Sequence, residues 1–382
     1  MLAPARQFGP YLCGLLTLIL YLAYVGTYIR HGVFDPSKFV VAGAPFFDRE
    51  ALPAGFEIGP DAGYDGQFYY RLALNPFTNQ RTAYGIMIDA PAYRHQRILF
   101  PLLSYILSFG QQRAVPWVMI LINLGGLVLL GWMGGRLARS FDLNALWGML
   151  IPLYPGFLLT FRRDTVEILE AALILGSLLL LRARRPIAAT AVISLAVLAR
   201  ETALVVVLAA GIVWAASYWS ASVRGAIRWY YIACPAVVFC ALQVGLRIAW
   251  GQWPISMSGN QIGVPFSAPI GYVGDLLAQV PVDLNLLLQP FFLFAVAAAV
   301  CLAIFRSSAT VHERTAWFAY AAMGFMLGSV VWVEDWAFMR VMSGFFLFGA
   351  IVLLGGSRGI RVPVAIFTLY EWSYTFYLHR PA

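Results

Sequence analysis

The densest group of side chains able to do chemistry lies in Gly63-Tyr64-Asp65-Gly66-Gln67-Phe68-Tyr69-Tyr70-Arg71-Leu72-Ala73. An aspartate between glycines, followed by three aromatics and an arginine on the way into a helix, supports two readings. In the first, Asp65 starts the helix, its carboxylate accepting backbone N–H groups at the positive helix end. In the second, Asp65 is a general base at a membrane surface, taking a proton from an attacking hydroxyl within hydrogen-bond reach. Tyr69 and Tyr70 would then wall a sugar pocket, with Tyr64 and Arg71 beside them. The residues alone leave both open.

Further charge recurs beside apolar blocks at Arg162, Arg163, Asp164, Glu167, Arg200, Glu201, Glu334, Asp335 and Arg340. Ionisable groups at membrane depth cost on the order of 2.5–3.5 kcal/mol each, and usually line a cavity or pair with one another. Asp164 followed three residues later by Glu167 has the spacing of a helix cap. Arg163 and Glu167 are four apart and can pair on one helix face. Glu170, one turn deeper, favours a polar cavity. Arg200 and Arg340 suit a phosphate clamp, because a guanidinium fork binds phosphate oxygens two at a time and stays charged. The alternative is internal pairing, of Arg200 with an acid on another helix and of Arg340 with Asp335 or Glu334. Arg94 and Arg97 could meet lipid phosphate, although snorkelling is the simpler account. Asp48, Glu50 and Asp61 would serve a divalent cation if brought together, but nothing in their spacing demands it, so no metal ligands are assigned.

The elements that must position these groups follow from composition. The chain has 382 residues, 61% hydrophobic and 12% charged, about half the charge of a soluble domain. Apolar blocks such as Tyr11 to Ile29 and Val115 to Met133 reach the roughly 20 residues of a membrane span. The expectation is an all-α polytopic membrane protein, one transmembrane domain over 1–382. Arg6 and five further arginine clusters (Arg136/Arg139, Arg182/Arg184/Arg185, Arg224/Arg228, Arg306/Arg314, Arg358/Arg361) satisfy the positive-inside rule with about ten helices. The spans fall near 11–29, 115–135, 144–160, 166–181, 187–200, 202–220, 229–249, 284–304, 315–333 and 337–355. A first outer loop then covers 30–114 and a second 250–283. The short apolar stretch Arg97 to Phe109 is expected to lie in the membrane surface. The aromatic tail 362–382 is expected as a cytoplasmic-side interfacial helix, since Glu371 argues against a further span. Four cysteines lack metal or disulfide spacing. The net charge of +8 reports topology rather than a nucleic-acid partner. Scarce Lys with abundant Arg, Ala and Gly suggests a GC-rich bacterial source, hence a bacterial plasma membrane with the site facing outside.

The order of one N-terminal helix, then Tyr64-Asp65-Gly66-x-x-Tyr69-Tyr70-x-x-Ala73, then Arg97-Ile98-Leu99-Phe100-Pro101-Leu102-Leu103 resembles the GT-C membrane glycosyltransferases. Within them it is similar to the branch of the second GPI mannosyltransferase and its bacterial relatives in cell-surface glycopolymer formation. Arg163-Asp164-Thr165-Val166-Glu167 and Leu198-Ala199-Arg200-Glu201-Thr202 fit the same pattern. The resemblance implies transfer of a mannose-like hexose, with inversion, from a polyprenyl-phosphate donor to a hydroxyl of a cell-surface glycan or glycolipid. It implies Asp65 as catalytic base. The expected substrate-binding residues are Tyr64, Tyr69, Tyr70, Arg71, Arg97, Arg163, Asp164, Glu167, Arg200, Glu201 and Arg340. The donor is a substrate, no cofactor is assigned and a divalent cation is left open, and the partners are membrane lipids, the lipid-linked donor and the acceptor. A transporter or flippase of lipid-linked saccharides is the alternative, but it would more often show two similar halves and broken helices at the midplane. A non-catalytic assembly factor would not need an acid and several arginines on one face.

Overall fold

The computed structural model describes residues 3–30, 34–220, 227–257, 261–281 and 284–381. Arg224, Asp283 and Ala382, which enter the expectations above, lie outside the described residues. Among the described residues the chain is helical apart from two minimal sheets. Helix α1 (Ala3–Arg30) leads into a long excursion holding α2 (Ser37–Val40), α3 (Gly66–Leu74), α4 (Pro91–His95) and α5 (Leu99–Ser108). In that excursion Ala42–Gly43 pairs in parallel with Ile58–Gly59, and Thr82–Ala83 pairs antiparallel with Ile86–Met87. The bundle continues with α6 (Val115–Ser140), α7 (Pro155–Arg162), α8 (Glu167–Arg182), α9 (Pro186–Ala199), α10 (Leu204–Ala216) and α11 (Tyr230–Trp250). It closes with α12 (Ser267–Ala278), α13 (Leu284–Ala303), α14 (Val311–Phe325), α15 (Asp335–Val341), α16 (Ser343–Leu354) and α17 (Arg358–Leu378).

Four helical stretches among the described residues are long and apolar enough to cross a membrane: Phe8–Ile29, Val115–Ser140, Tyr230–Trp250 and Leu286–Ala303. Leu99–Ser108, Pro186–Ala199, Glu201–Ala216 and Ser343–Leu354 are apolar but shorter. Two expected continuous helices are divided. Residues 144–160 form a 3-10 helix (Ala145–Leu150) and then α7, because Pro155 drives the preceding Tyr154 into an extended conformation. The stretch 337–355 is split at Met342 between α15 and α16.

Most of the aromatic tail 362–382 belongs to α17, which runs along the bundle. At its start Arg361 donates to the Leu354 carbonyl and sits over the Trp147 ring. Just beyond its far end, the His379 carbonyl accepts the Tyr24 hydroxyl at 2.8 Å, near the end of α1. Aromatic packing holds it there: Trp372 meets Tyr21 edge-on and Phe376 meets Tyr24 on α1. Glu371 is fully buried with them.

Close backbone approach fixes the frame around α6. Gly134 faces Gly148, where a Cβ would come within 2.5 Å of the Gly148 carbonyl oxygen, and a Cβ on Gly148 would overlap the Gly134 backbone. Small residues let helices approach where no water drives them together. Backbone meets backbone here, so neither side can yield. We therefore expect Gly148→Ala to destabilise the fold by about 1–3 kcal/mol, read as a lowered midpoint of thermal unfolding in detergent. An unchanged midpoint would show that the contact is not formed.

Candidate active site

Helix α3 begins where the chain is pinned on three sides. Tyr64 N–H donates to the Val41 carbonyl, and Gln67 bridges the Ala62 carbonyl and the Gly43 N–H. Gly66 lies against the Arg163 carbonyl, and a Cβ there would overlap it. The glycine after Asp65 is therefore demanded by packing, and it brings α3 against the α7–α8 turn. Asp65 occupies the cap position but makes no side-chain capping bond. Its carboxylate turns instead to Arg94 Nη1 at 2.6 Å and Arg340 Nη2 at 3.3 Å. The capping reading of Asp65 is thus not the one the fold adopts.

Around that carboxylate the charges form one network. Arg94 also binds Asp89 with two nitrogens, at 2.9 and 2.7 Å. Arg340 stands over the Tyr64 ring, 4.4 Å from its centroid, and donates to the Tyr64 hydroxyl at 2.8 Å. Its other terminal nitrogen is 3.4 Å from Glu167. Glu167 is in turn 3.4 Å from Arg200, and Arg200 is 3.6 Å from Glu170. Glu170 accepts from the Thr202 hydroxyl at 2.5 Å. Arg97 grips Glu201 through two nitrogens and donates to the Tyr69 and Tyr93 hydroxyls. Burial opposes the charge on Asp65, yet Arg94 first, then Arg340 and Arg97, outweigh it and hold the carboxyl well below the usual range. Glu201 is likewise lowered, burial being overcome by Arg97.

A cavity of about 540 Å³ opens onto this network. Tyr64, Asp65, Arg94, Arg97, Arg200, Glu201 and Arg340 form its polar wall. Ile262, Met323, Leu327, Val330, Val331 and Val341 add an aliphatic lining. Three donors at the network are buried without a hydrogen bond: Arg200 Nε and Nη1, and Arg340 Nη1. A cavity lined by both guanidinium and hydrocarbon suits a ligand that is anionic at one end and greasy at the other.

The remaining expected residues divide. Tyr69 supports Arg97 from behind, and Glu167 bridges Arg200 to Arg340 beneath the cavity floor. Arg163 lies 3.8 Å over the Trp336 ring and 5.1 Å from that of Tyr64, so it does not form the expected pair with Glu167. Asp164 is fully buried at a positive φ, with Asn123 Nδ2 at 3.4 Å, and it caps nothing. Burial raises its carboxyl well above the ordinary range. Tyr70 and Arg71 point elsewhere, Tyr70 to the Gln112 carbonyl and Arg71 to the Gln80 carbonyl and the Tyr84 ring, because successive positions on α3 face different sides. Arg94 and Trp336 are the residues the sequence reading undervalued. Arg94 was treated as a snorkelling residue, and the cue to its role is Asp89 five positions earlier, across the Pro91 helix start. Asp48, Glu50 and Asp61 do not form a cation site, and no group of three or more His, Cys, Asp or Glu side chains placed for a metal occurs among the described residues.

Removing the cation between two buried acids should be costly. Arg200→Gln leaves Glu167 and Glu170 facing each other and should lower stability by about 3–5 kcal/mol. Adding Glu170→Gln should recover part of that loss, and thermal unfolding in detergent measures both. A second expectation concerns pH. His95, on α4 and packed against Trp250, is held neutral by burial, its pKa lowered to about 4 despite its bond to the Pro91 carbonyl. A lowered folded pKa gives stability that is full above pH 6.5 and is lost as pH falls towards 4. Local opening at Trp250, followed by its fluorescence, should therefore grow over that window and flatten in His95→Phe.

Comparison with known protein families, curated proteins and solved structures finds no match to this chain.

Proposed function

We propose that the chain is a polytopic membrane glycosyltransferase of the GT-C kind, with about ten spans and its site at the outer surface of a bacterial plasma membrane. It would transfer a sugar such as a mannose-like hexose from a polyprenyl-phosphate donor to a hydroxyl of a cell-surface glycan or glycolipid. The observation that supports this reading is the mixed lining of the cavity. Arg94, Arg200 and Arg340 line it with Asp65 among them, together with an aliphatic lining from Ile262, Met323, Leu327, Val330 and Val331. The donor phosphate would sit on the arginines and its polyprenyl tail would leave along the aliphatic lining. Beyond Ile262 a second cavity of about 610 Å³, bordered by Tyr272, Asp275 and Gln279, gives room for an acceptor.

In the reaction the acceptor oxygen attacks the anomeric carbon while the bond from that carbon to the phosphate oxygen breaks. The acceptor proton passes to Asp65, and polyprenyl phosphate departs with the electron pair. Stabilising charge as it develops on that leaving group is commonly the largest catalytic contribution. Asp65 held by Arg94 and Arg340 is a weak base. A phosphate that engages those two guanidiniums releases the carboxylate and raises its proton affinity, so donor binding itself prepares the base.

The test is turnover by protein in lipid with a panel of radiolabelled polyprenyl-phosphate sugars. Wild type should release polyprenyl phosphate, and a normally folded Asp65→Asn should lose about 10²–10⁴-fold in rate. Turnover that survives the change moves the base elsewhere. Absence of turnover with every donor, together with donor movement across the bilayer, would favour the transporter reading.

A further inference from the structure

Far from the Asp65 cavity, a third cavity of about 700 Å³ lies between α6 and α8. Val115, at the start of α6, packs in one cluster with Tyr69 and Tyr70, and Trp132 is about 25 Å further along the helix axis. The cavity is therefore at the opposite end of the bundle. Its floor is apolar, made by Trp132, Met133, Leu179 and Leu180 with Gly176 between them. Its rim is basic, carrying Arg136, Arg182 and Arg185 beside Ser140.

These arginines are not equivalent. Arg182 is committed, binding Glu313 through two nitrogens at 2.8 and 2.7 Å. Arg136 and Arg185 are exposed and make no ion pair among the described residues. Arg136 rests over the Trp132 ring, 5.2 Å from its centroid, so its charge is carried at the mouth of the apolar floor. Gly176 widens that floor: a Cβ there would be in ordinary contact with Met133 Sδ at 3.6 Å and Val192 Cγ1 at 3.8 Å. Two uncommitted guanidiniums above an apolar slot between helices match a phosphate joined to an acyl chain. Free phosphate would use the rim and leave the floor exposed.

We propose that this cavity binds one anionic phospholipid, its phosphate between Arg136 and Arg185 and an acyl chain on Trp132, Leu179 and Leu180. The site is separate from the Asp65 network and does not depend on what that network does. Basic pockets between helices recognise such headgroups, each arginine near the surface strengthening binding by roughly fivefold.

The probe is phosphatidylglycerol added to phosphatidylcholine nanodiscs holding the full chain, with retained lipid counted by native mass spectrometry. Wild type should retain phosphatidylglycerol in preference to phosphatidylcholine. Arg136→Gln with Arg185→Gln should weaken retention by roughly 30-fold, and Gly176→Leu should weaken it with the arginines intact. Arg228→Gln, an exposed arginine on the same end outside the cavity, should leave it unchanged. Each variant is first checked for an unaltered unfolding midpoint in phosphatidylcholine alone; if the double variant fails that check, the two single variants carry the measurement. Three results would each overturn the proposal. They are an equal loss in Arg228→Gln, undiminished retention in Gly176→Leu, and equally good competition by tail-less glycerol 3-phosphate.

Discussion

A guanidinium buried in an apolar bundle is tolerable only where carboxylates meet it, and Arg340 sets that condition for this fold. Its side chain is 5% exposed and lies within reach of Asp65 from the excursion after α1 and Glu167 from α8. An isolated charge moved out of water costs several kcal/mol even after relaxation. The excursion, α8 and α15 must therefore meet at one point. Glu167 extends the same condition to Arg200, and through it to Glu170. Four segments far apart in sequence are tied together by compensation, and the cavity is the space left where their charges face one another.

The frame around that point is built from approach as much as from area. Gly134 against Gly148 and Gly66 against the Arg163 carbonyl bring backbones into direct contact, which fixes their distance more firmly than side-chain packing does. Helix α7 is held to α15 by the Tyr154 hydroxyl, which donates to the Met339 carbonyl at 2.5 Å beside Arg340. Trp332 stacks on Phe338, two residues before Arg340, at 4.6 Å. The guanidinium thus projects from a short helix whose own position is set by hydrogen bonding and aromatic packing.

Legibility in the sequence followed the range of the forces involved. Apolar blocks are local, so the helical bundle and the long excursion after α1 could be read from composition. Charge placed beside apolar blocks was also legible, which is why Asp65, Arg97, Arg200, Glu201 and Arg340 were picked out before any of them had partners. Partner identity was not legible. Arg340 had Asp335 and Glu334 as near neighbours, yet it reaches Asp65, 275 residues away. Arg163 had Glu167 four positions on, yet it lies on Trp336. Local spacing ranks the candidates, and burial chooses among them. The tail shows the same limit: Glu371 argues against a further span, while Trp372 and Phe376 have ring partners on α1 that no local pattern reveals.

The bond between Arg97 and Glu201 joins positions 104 residues apart, each of which would be a liability alone. Such a pair constrains drift in an unusual way. A chain that loses one member must lose or reverse the other, so the two positions should change together rather than separately across descendants of a common ancestor. The same holds for Asp65 with Arg94 and for the acids around Arg200. Distant kin of this chain would then be betrayed by matched absences and reversals at paired positions, even where no single stretch of residues remains alike.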